Sequence, residues 1–203
     1  FAGLNSREFP GFPPCSGPGR GRCGAPACLV QSSMGAISAL LVAALYPDLP
    51  TAVLLEDPPP FWMNPTIAKE GDTALEKDFR VRLEGLKEQS RDELIALQKE
   101  ATPHWSQTEI EMWADAKLQI NLHILQMFRA QAHDGLDWEN LLSQVTCPVL
   151  LIKADVEKQA IVTPEAADYV KKHIPQVQIE HVADAGHSIH RDQFDAYMTV
   201  VQS

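Results

Sequence analysis

A run of 25 uncharged residues, 23–47, constrains the fold of this 203-residue chain more than any other sequence feature. Such a run is either a membrane span or a buried part of a globular core. Gln31, Ser32, Ser33 and Gly35 interrupt it, and its unbroken apolar part is only about half of a spanning length. The run also starts too late for a signal peptide and lacks a cleavage-like end. It therefore predicts a buried strand followed by a buried helix.

Strand-like and helical segments alternate along the rest of the chain. The predicted strands are 27–31, 51–56, 148–154 and 177–182, and the predicted helices that accompany them are 33–46, 138–145, 164–173 and 191–201. Buried strands that alternate with helices are typical of a parallel sheet with helices on both faces. The predicted fold class is therefore α/β, with about four parallel strands and flanking helices.

A long helical block separates the second and third predicted strands. Residues 66–130 are rich in Leu, Glu and Lys and are predicted to be helical, with breaks near Gly71, Pro103 and Gly135. The block is too long for a simple crossover between parallel strands. We interpret it as an insertion lying over one edge of the sheet.

Composition excludes several function classes. The chain has 27 acidic and 17 basic residues and a formal net charge of −10, so it repels phosphate backbones and is not expected to bind nucleic acid in general. Four cysteines are too few for a disulfide scaffold. The composition therefore predicts a cytoplasmic globular protein that does not insert into a membrane.

Residues 1–27 differ from the remainder. They hold six of the 11 glycines and five of the 15 prolines, and their net charge is +2, which leaves −12 for the other residues. We predict a poorly ordered head, because closely spaced prolines prevent both helix and ladder strand. Cys15, Cys23 and Cys28 do not have the paired spacing of a zinc site, so no metal is expected there. Since the chain begins at Phe1, we expect a fragment or a processed product.

Three polar residues follow three different predicted strands, and the carboxyl ends of parallel strands are where such sheets bind ligands. Ser33 follows the first strand at a strand-to-helix turn, Asp155 follows the third, and His187 follows the fourth. The order serine, acid, histidine is that of a hydrolytic triad. The alternatives that remain open are Ser32 for the serine, Asp57 for the acid, and His181 or His190 for the histidine. A metal site formed by the three histidines is disfavoured, because the strand and the loop do not obviously bring them together.

Three segments resemble the α/β-hydrolase fold superfamily. LVQSSMGAISALLVAALYPDLPTAVLLEDPP resembles its nucleophile turn and following strand, and WADAKLQIN is typical of its helical cap. CPVLLIKADVEKQAIVTPEAADYV and VQIEHVADAGHSIHRDQFDAYMTVV resemble its acid and histidine segments. The resemblance implies a core formed by 28–58 and 138–203, with a cap insertion at 59–137.

The resemblance also implies a reaction. Ser33 would attack an ester-type carbonyl, His187 would accept its proton, Asp155 would orient the imidazole, and the backbone N–H of Met34 would stabilise the oxyanion. No metal or organic cofactor is implied. The apolar aromatic residues of the cap favour a small, partly hydrophobic substrate.

Two departures from the family lead to two hypotheses. Gln31 stands where the family has glycine, so its side chain is expected to crowd the turn, although Gly35 is retained. The family's nucleophile strand is the fifth of eight, whereas 27 residues precede it here. We therefore expect the N-terminal half of the sheet and one oxyanion donor to be missing, with strand 27–31 exposed as an edge that could self-associate. We therefore expect either a truncated product of a gene for a complete serine hydrolase, or a catalytically inactive hydrolase-like fragment that acts as a binding or interaction module.

Overall fold

The computed structural model describes residues 27–63, 72–128 and 136–203. The predicted head therefore lies outside the described residues except for Ala27, as do Cys15 and Cys23. The chain divides into two compact units, one within 1–63 and 137–203 and the other within 64–136.

The first unit contains a four-stranded sheet. Its strands are β1 (Ala27–Ser32), β2 (Pro50–Glu56), β3 (Val149–Lys153) and β4 (Val177–His181). They lie in the order β1-β2-β3-β4 and every neighbouring pair is parallel. The structure therefore confirms the predicted α/β class with four parallel strands.

Helices follow the strands of the first unit, and further helices form the second unit, called the helical unit below. They are α1 (Ser33–Leu45), α2 (Asp72–Lys87), α3 (Arg91–Ala101), α4 (Gln107–Gln119), α5 (Trp138–Ser143), α6 (Pro164–His173), α7 (Ile189–Asp192) and α8 (Phe194–Gln202). Of the helices in the described ranges, none is long and apolar enough to cross a membrane.

Burial along the sheet follows strand order. The central strands β2 and β3 are almost fully buried, and Val53, Leu55, Leu151 and Ile152 have no measurable exposure. β1 lies at one edge of the described part of the sheet, and Val30 on it is 42% exposed. Continuous apolar runs suit β2 and β3 because strands between helix layers are buried on both faces.

Two helix boundaries differ from the sequence prediction. The predicted helix 191–201 begins earlier and is divided at Gln193 into α7 and α8. The predicted helical block also breaks at Ser90, whose hydroxyl and backbone form a reciprocal capping box with Glu93 at the start of α3. By contrast, α6 has the predicted bounds, and the Thr163 hydroxyl accepts from the backbone N–H of Ala166 as its N-cap.

The helical unit has its own small core and cross-links. Leu86, Leu94 and Ala114 are buried together. The Lys87 ammonium donates to two backbone carbonyls at the carboxyl end of α4, those of Leu118 and Ile120, at 2.6 and 2.9 Å. These contacts join α2, α3 and α4 into one packed body.

Candidate active site

Ser33 occupies a tight turn between β1 and α1. Its φ is +50°, a left-handed conformation that is uncommon for a residue with a side chain. Ser32 precedes it with extended backbone angles, and its side chain makes no cap hydrogen bond to α1. Backbone strain of this kind costs about 1–3 kcal/mol and clusters at functional sites, where it aims a side chain. The turn therefore singles out Ser33, and not Ser32, as the projecting hydroxyl.

Gln31 is accommodated in this turn. Its side chain is exposed, and a Cβ built on Gly35 would lie 2.6 Å from its Oε1 atom. The glycine at position 35 thus leaves the space that the Gln31 side chain occupies. The expected crowding is relieved within the turn itself.

A continuous hydrogen-bond chain joins Ser33, His187 and Asp57. Nε2 of His187 lies 3.0 Å from Oγ of Ser33, and Nδ1 of the same ring lies 2.7 Å from Oδ2 of Asp57. Because a carboxylate only accepts, Nδ1 carries the ring proton and Nε2 is left to accept from the Ser33 hydroxyl. This tautomer is the one in which a histidine can remove a proton from serine.

Asp57 is the most deeply buried member of this chain of contacts. Its exposure is 0%, and its φ is +40°. The backbone N–H of Ile161 lies 2.9 Å from Oδ2 and 3.1 Å from Oδ1, and the N–H of Val162 donates to Oδ1 at 2.9 Å. Each of these partners is a donor, which is what a buried carboxylate requires.

The predicted acid, Asp155, does not contact His187. Its Oδ1 lies 2.8 Å from Nε2 of His181, and its Oδ2 accepts from the backbone N–H of Asp184 at 2.8 Å. The partner of His187 is therefore corrected from Asp155 to Asp57, the alternative weighed from sequence. The physical reason is that the Asp155 side chain is engaged by the end of β4, whereas the end of β2 delivers Asp57 to the ring.

Hydrogen bonding also affects the ionisation of Asp155. The backbone N–H of Asp184, and after it the His181 ring, hold the pKa of the Asp155 carboxyl below its usual range. Its carboxylate fixes the chain just after β4.

Further contacts hold the two residues that directly precede His187. The backbone N–H of Asp155 donates to the carbonyl of Ala185 at 3.1 Å, and Asp192 accepts from the backbone N–H of Gly186 at 2.8 Å. A Cβ at position 186 would lie 2.3 Å from the Lys158 carbonyl oxygen, so only glycine fits there. Three inter-strand steps of ~4.8 Å separate β4 from β1. The loop and the His187 side chain together therefore cross about 14 Å to reach Ser33.

The two other candidate histidines have different acidic partners. His181 pairs with Asp155, and Nδ1 of His190 lies 2.7 Å from Oε1 of Glu56. Within 27–63, 72–128 and 136–203, no group of three or more His, Cys, Asp or Glu side chains is arranged to hold a metal ion.

Met34 lies in the first turn of α1, immediately after Ser33. Backbone N–H groups in the first turn of a helix have no acceptor within the helix, and the helix dipole places partial positive charge there. The Met34 N–H is thus the predicted donor for an oxyanion formed at a carbon bonded to Ser33.

Sequence reasoning missed Glu56, and it ranked Asp57 second. The available signal was the pair of consecutive carboxylates at the end of the buried strand β2, followed by three prolines. A buried acid needs a partner, so acids at such a strand end are candidates for the site.

Comparison with solved structures supports the fold. No protein-family model and no curated protein sequence matches the chain. Structures of an N-formylmaleamic acid deformylase from Pseudomonas putida (21% identity, TM-score 0.59) and an enol-lactonase from Burkholderia xenovorans (19%, 0.56) are similar to it. A thermophilic esterase from Thermogutta terrifontis (23%, 0.56) is similar as well. The matches cover 86%, 87% and 88% of this chain but 65%, 64% and 66% of those proteins, so the chain spans about two thirds of their length.

Proposed function

We propose that this chain, which has the α/β-hydrolase fold, is a serine hydrolase that cleaves an ester-type bond in a small molecule. The observation that carries the proposal is the hydrogen-bond chain from Ser33 through His187 to Asp57, with contacts of 3.0 and 2.7 Å. A serine hydroxyl, an imidazole in the proton-accepting tautomer and a buried acid are the parts that nucleophilic acyl transfer needs.

The first half of the proposed reaction forms an acyl-enzyme. The Ser33 oxygen attacks the carbonyl carbon while its proton passes to Nε2 of His187, and the carbonyl electron pair moves onto oxygen. The Met34 N–H donates to that oxyanion. When the tetrahedral intermediate collapses, His187 returns the proton to the leaving alcohol, and an acyl ester of Ser33 remains.

The second half repeats these steps with water. Nε2 of His187 takes a proton from water, whose oxygen attacks the acyl carbon, and the collapse releases the acid and restores the Ser33 hydroxyl. Asp57 stabilises the positive ring in both halves and keeps it in one orientation. The proposed mechanism needs no metal or organic cofactor.

The substrate class follows from the nucleophile and from the similar structures. A serine nucleophile acts on acyl carbons, and the deformylase, enol-lactonase and esterase are named for reactions of that kind. We propose that the helical unit is a cap that favours a partly hydrophobic substrate. The low cysteine content suits a reducing compartment, so the cytoplasm is the proposed location.

A serine-directed fluorophosphonate probe tests this proposal on the chain as it exists. We expect stoichiometric labelling of the wild-type chain, loss of labelling in Ser33→Ala, and retention in Ser32→Ala. Ser32 is a matched control because it is the adjacent serine, is exposed and does not contact His187. Absence of labelling in folded wild-type protein, or equal labelling of Ser33→Ala, would refute the assignment.

A second candidate function rests on the edge strand β1. Val30 is 42% exposed on this strand, and in the described part of the sheet β1 pairs only with β2. An open apolar edge can pair with another strand, so the chain could act as an interaction module that self-associates through β1. Sedimentation analysis of wild type and Val30→Lys tests this idea. A concentration-dependent dimer that Val30→Lys abolishes would support it, and a monomer at all concentrations would contradict it.

A further inference from the structure

Glu56 is a buried carboxylate that the proposed reaction does not use. It ends β2, directly before Asp57, and is only 3% exposed. Burying a charged carboxylate is strongly unfavourable unless hydrogen bonds and an opposite charge or dipole compensate it. Glu56 therefore needs hydrogen-bond donors at this position beside Asp57.

Within the described residues, the Glu56 carboxylate accepts its hydrogen bonds from His190. Oε1 accepts from the backbone N–H of His190 at 3.0 Å, and Nδ1 of the His190 ring lies 2.7 Å from Oε1 and 2.9 Å from Oε2. The pair is well shielded, since the His190 side chain is 24% exposed. Burial, together with the charge of Glu56, raises the pKa of the nearby Tyr197 hydroxyl. The carboxylate thus holds both the main chain and the side chain of one residue.

His190 lies in α7, the short helix that begins two residues after His187. Ser188, the residue at the N-cap of this helix, makes no side-chain cap hydrogen bond. Glu56 supplies the missing acceptor from another part of the chain, 134 residues away in sequence. The start of α7 is therefore held by β2 and not by its own cap residue.

Consecutive carboxylates hold the histidine segment at two points. Successive side chains of a strand point to opposite faces, so two adjacent residues ordinarily cannot contact one short segment. The φ of +40° at Asp57 ends the strand geometry directly after Glu56. As a result, Asp57 holds the ring of His187 while Glu56 holds the backbone three residues further on.

We propose that Glu56 and His190 are positioning residues that fix His187 between Ser33 and Asp57. This inference rests on the function proposed above. Loss of the Glu56 carboxylate would release α7 from β2, and the His187 ring would depart from its 3.0 Å contact with Ser33. A displacement of about 1 Å at a reacting group can lower a rate by about 100-fold.

The test compares Glu56→Ala, Glu56→Gln and His190→Ala, with His181→Ala as the matched control. His181 belongs to the other acid–histidine pair at this end of the sheet, so its variant removes the same ring without touching α7. The maximal rate of fluorophosphonate labelling and its half-saturating probe concentration are measured separately. Melting by circular dichroism identifies folded variants. His190→Ala keeps the backbone N–H bond to Glu56, so it carries the test if Glu56→Ala does not fold.

We expect Glu56→Ala and His190→Ala to lower the maximal labelling rate about 10- to 100-fold, with less than about a threefold change in half-saturation. Glu56→Gln keeps an acceptor for the His190 N–H and should recover most of the rate. His181→Ala should match wild type. Folded Glu56→Ala and His190→Ala with wild-type rates would overturn the proposal, as would an equal loss in His181→Ala.

A proton spectrum separates this proposal from the proposed function. The hydrogen-bonded Nδ1–H proton of His187 should give a downfield resonance that broadens or disappears in Glu56→Ala and His190→Ala but persists in His181→Ala. Wild-type protein that shows this resonance but takes no label would contradict the hydrolase function alone. Variants with an unchanged resonance would contradict the positioning role alone.

Discussion

Replacing Asp57 and Asp155 in turn by asparagine tests which of the two carboxylates orients the ring of His187. In Asp57→Asn the side chain keeps its size but has only one oxygen. If that oxygen still accepts from the backbone N–H of Val162, the amide NH₂ group faces Nδ1 of His187. Nδ1 must then lose its proton and accept a hydrogen bond from the amide. The ring proton moves to Nε2, and the ring can no longer accept from Ser33.

The reverse orientation of the amide is also unfavourable. The oxygen then faces His187, but the NH₂ group faces the backbone N–H of Val162, which in the wild-type chain donates to Asp57 Oδ1 at 2.9 Å. A buried donor without an acceptor costs about 1–3 kcal/mol. The first orientation is therefore expected to be populated, with the ring in the wrong tautomer.

The expected effect on rate is large. A triad with its histidine in the wrong tautomer loses about 10⁴ in kcat, which corresponds to roughly 5 kcal/mol of barrier. Asp155→Asn should lower the rate less than about tenfold, because Asp155 contacts His181 and the Asp184 backbone and not the ring of His187. The two variants thus differ by about three orders of magnitude.

The measurement is the second-order rate of fluorophosphonate labelling, with p-nitrophenyl butyrate hydrolysis as a turnover assay. Both variants are compared at equal fractions of folded protein, determined by circular dichroism. An Asp57→Asn rate within tenfold of wild type, with a much larger loss in Asp155→Asn, would refute the assignment of the acid.

Three further predictions concern stability. Gly186→Ala should lower the free energy of unfolding by about 1–3 kcal/mol, because the new Cβ would lie 2.3 Å from the Lys158 carbonyl oxygen; an unchanged urea midpoint would contradict this. Ser90→Ala should cost about 1 kcal/mol through loss of the capping box of α3, measured in the same way, and a rise in stability would count against it. The pKa of Asp155 is lowered in the folded chain, chiefly by the backbone N–H of Asp184. The ionised carboxylate therefore stabilises the fold fully above the unfolded pKa of about 3.9, and this stabilisation is lost as pH falls through the folded pKa. Between pH 6 and pH 3 the melting temperature of wild type should therefore fall more than that of Asp155→Asn, and parallel curves would show that the carboxylate contributes nothing.

Local signals made most of the sheet predictable. The strands β2 and β3 are nearly continuous apolar runs with prolines next to them, and α6 begins with a capping threonine followed by proline. These features act within a few residues, so one sequence is sufficient to recognise them. The same holds for the turn at Ser33, since a strand, two serines and an Ala/Leu-rich helix follow one another directly.

The acid could not be assigned in this way. Both Asp57 and Asp155 follow buried strands, and sequence alone gave no reason to prefer the one that the structure selects. The choice depends on the backbone N–H groups of Ile161 and Val162, which are 104 and 105 residues away from Asp57. Contacts of that range are fixed by how the strand ends meet, and a local pattern does not encode them.

The left-handed backbone conformation of Ser33 lowers the stability of the fold, and it places the hydroxyl that the proposed reaction uses. Glycine adopts such angles without the strain of about 1–3 kcal/mol that a side chain adds, so Ser33→Gly removes both the strain and the proposed nucleophile. In a chain that served only as an interaction module, this substitution would raise the free energy of unfolding without loss of function. In a hydrolase, it would raise the free energy of unfolding but abolish catalysis. A serine at this turn therefore destabilises the fold relative to glycine, which the proposed reaction at its hydroxyl would explain.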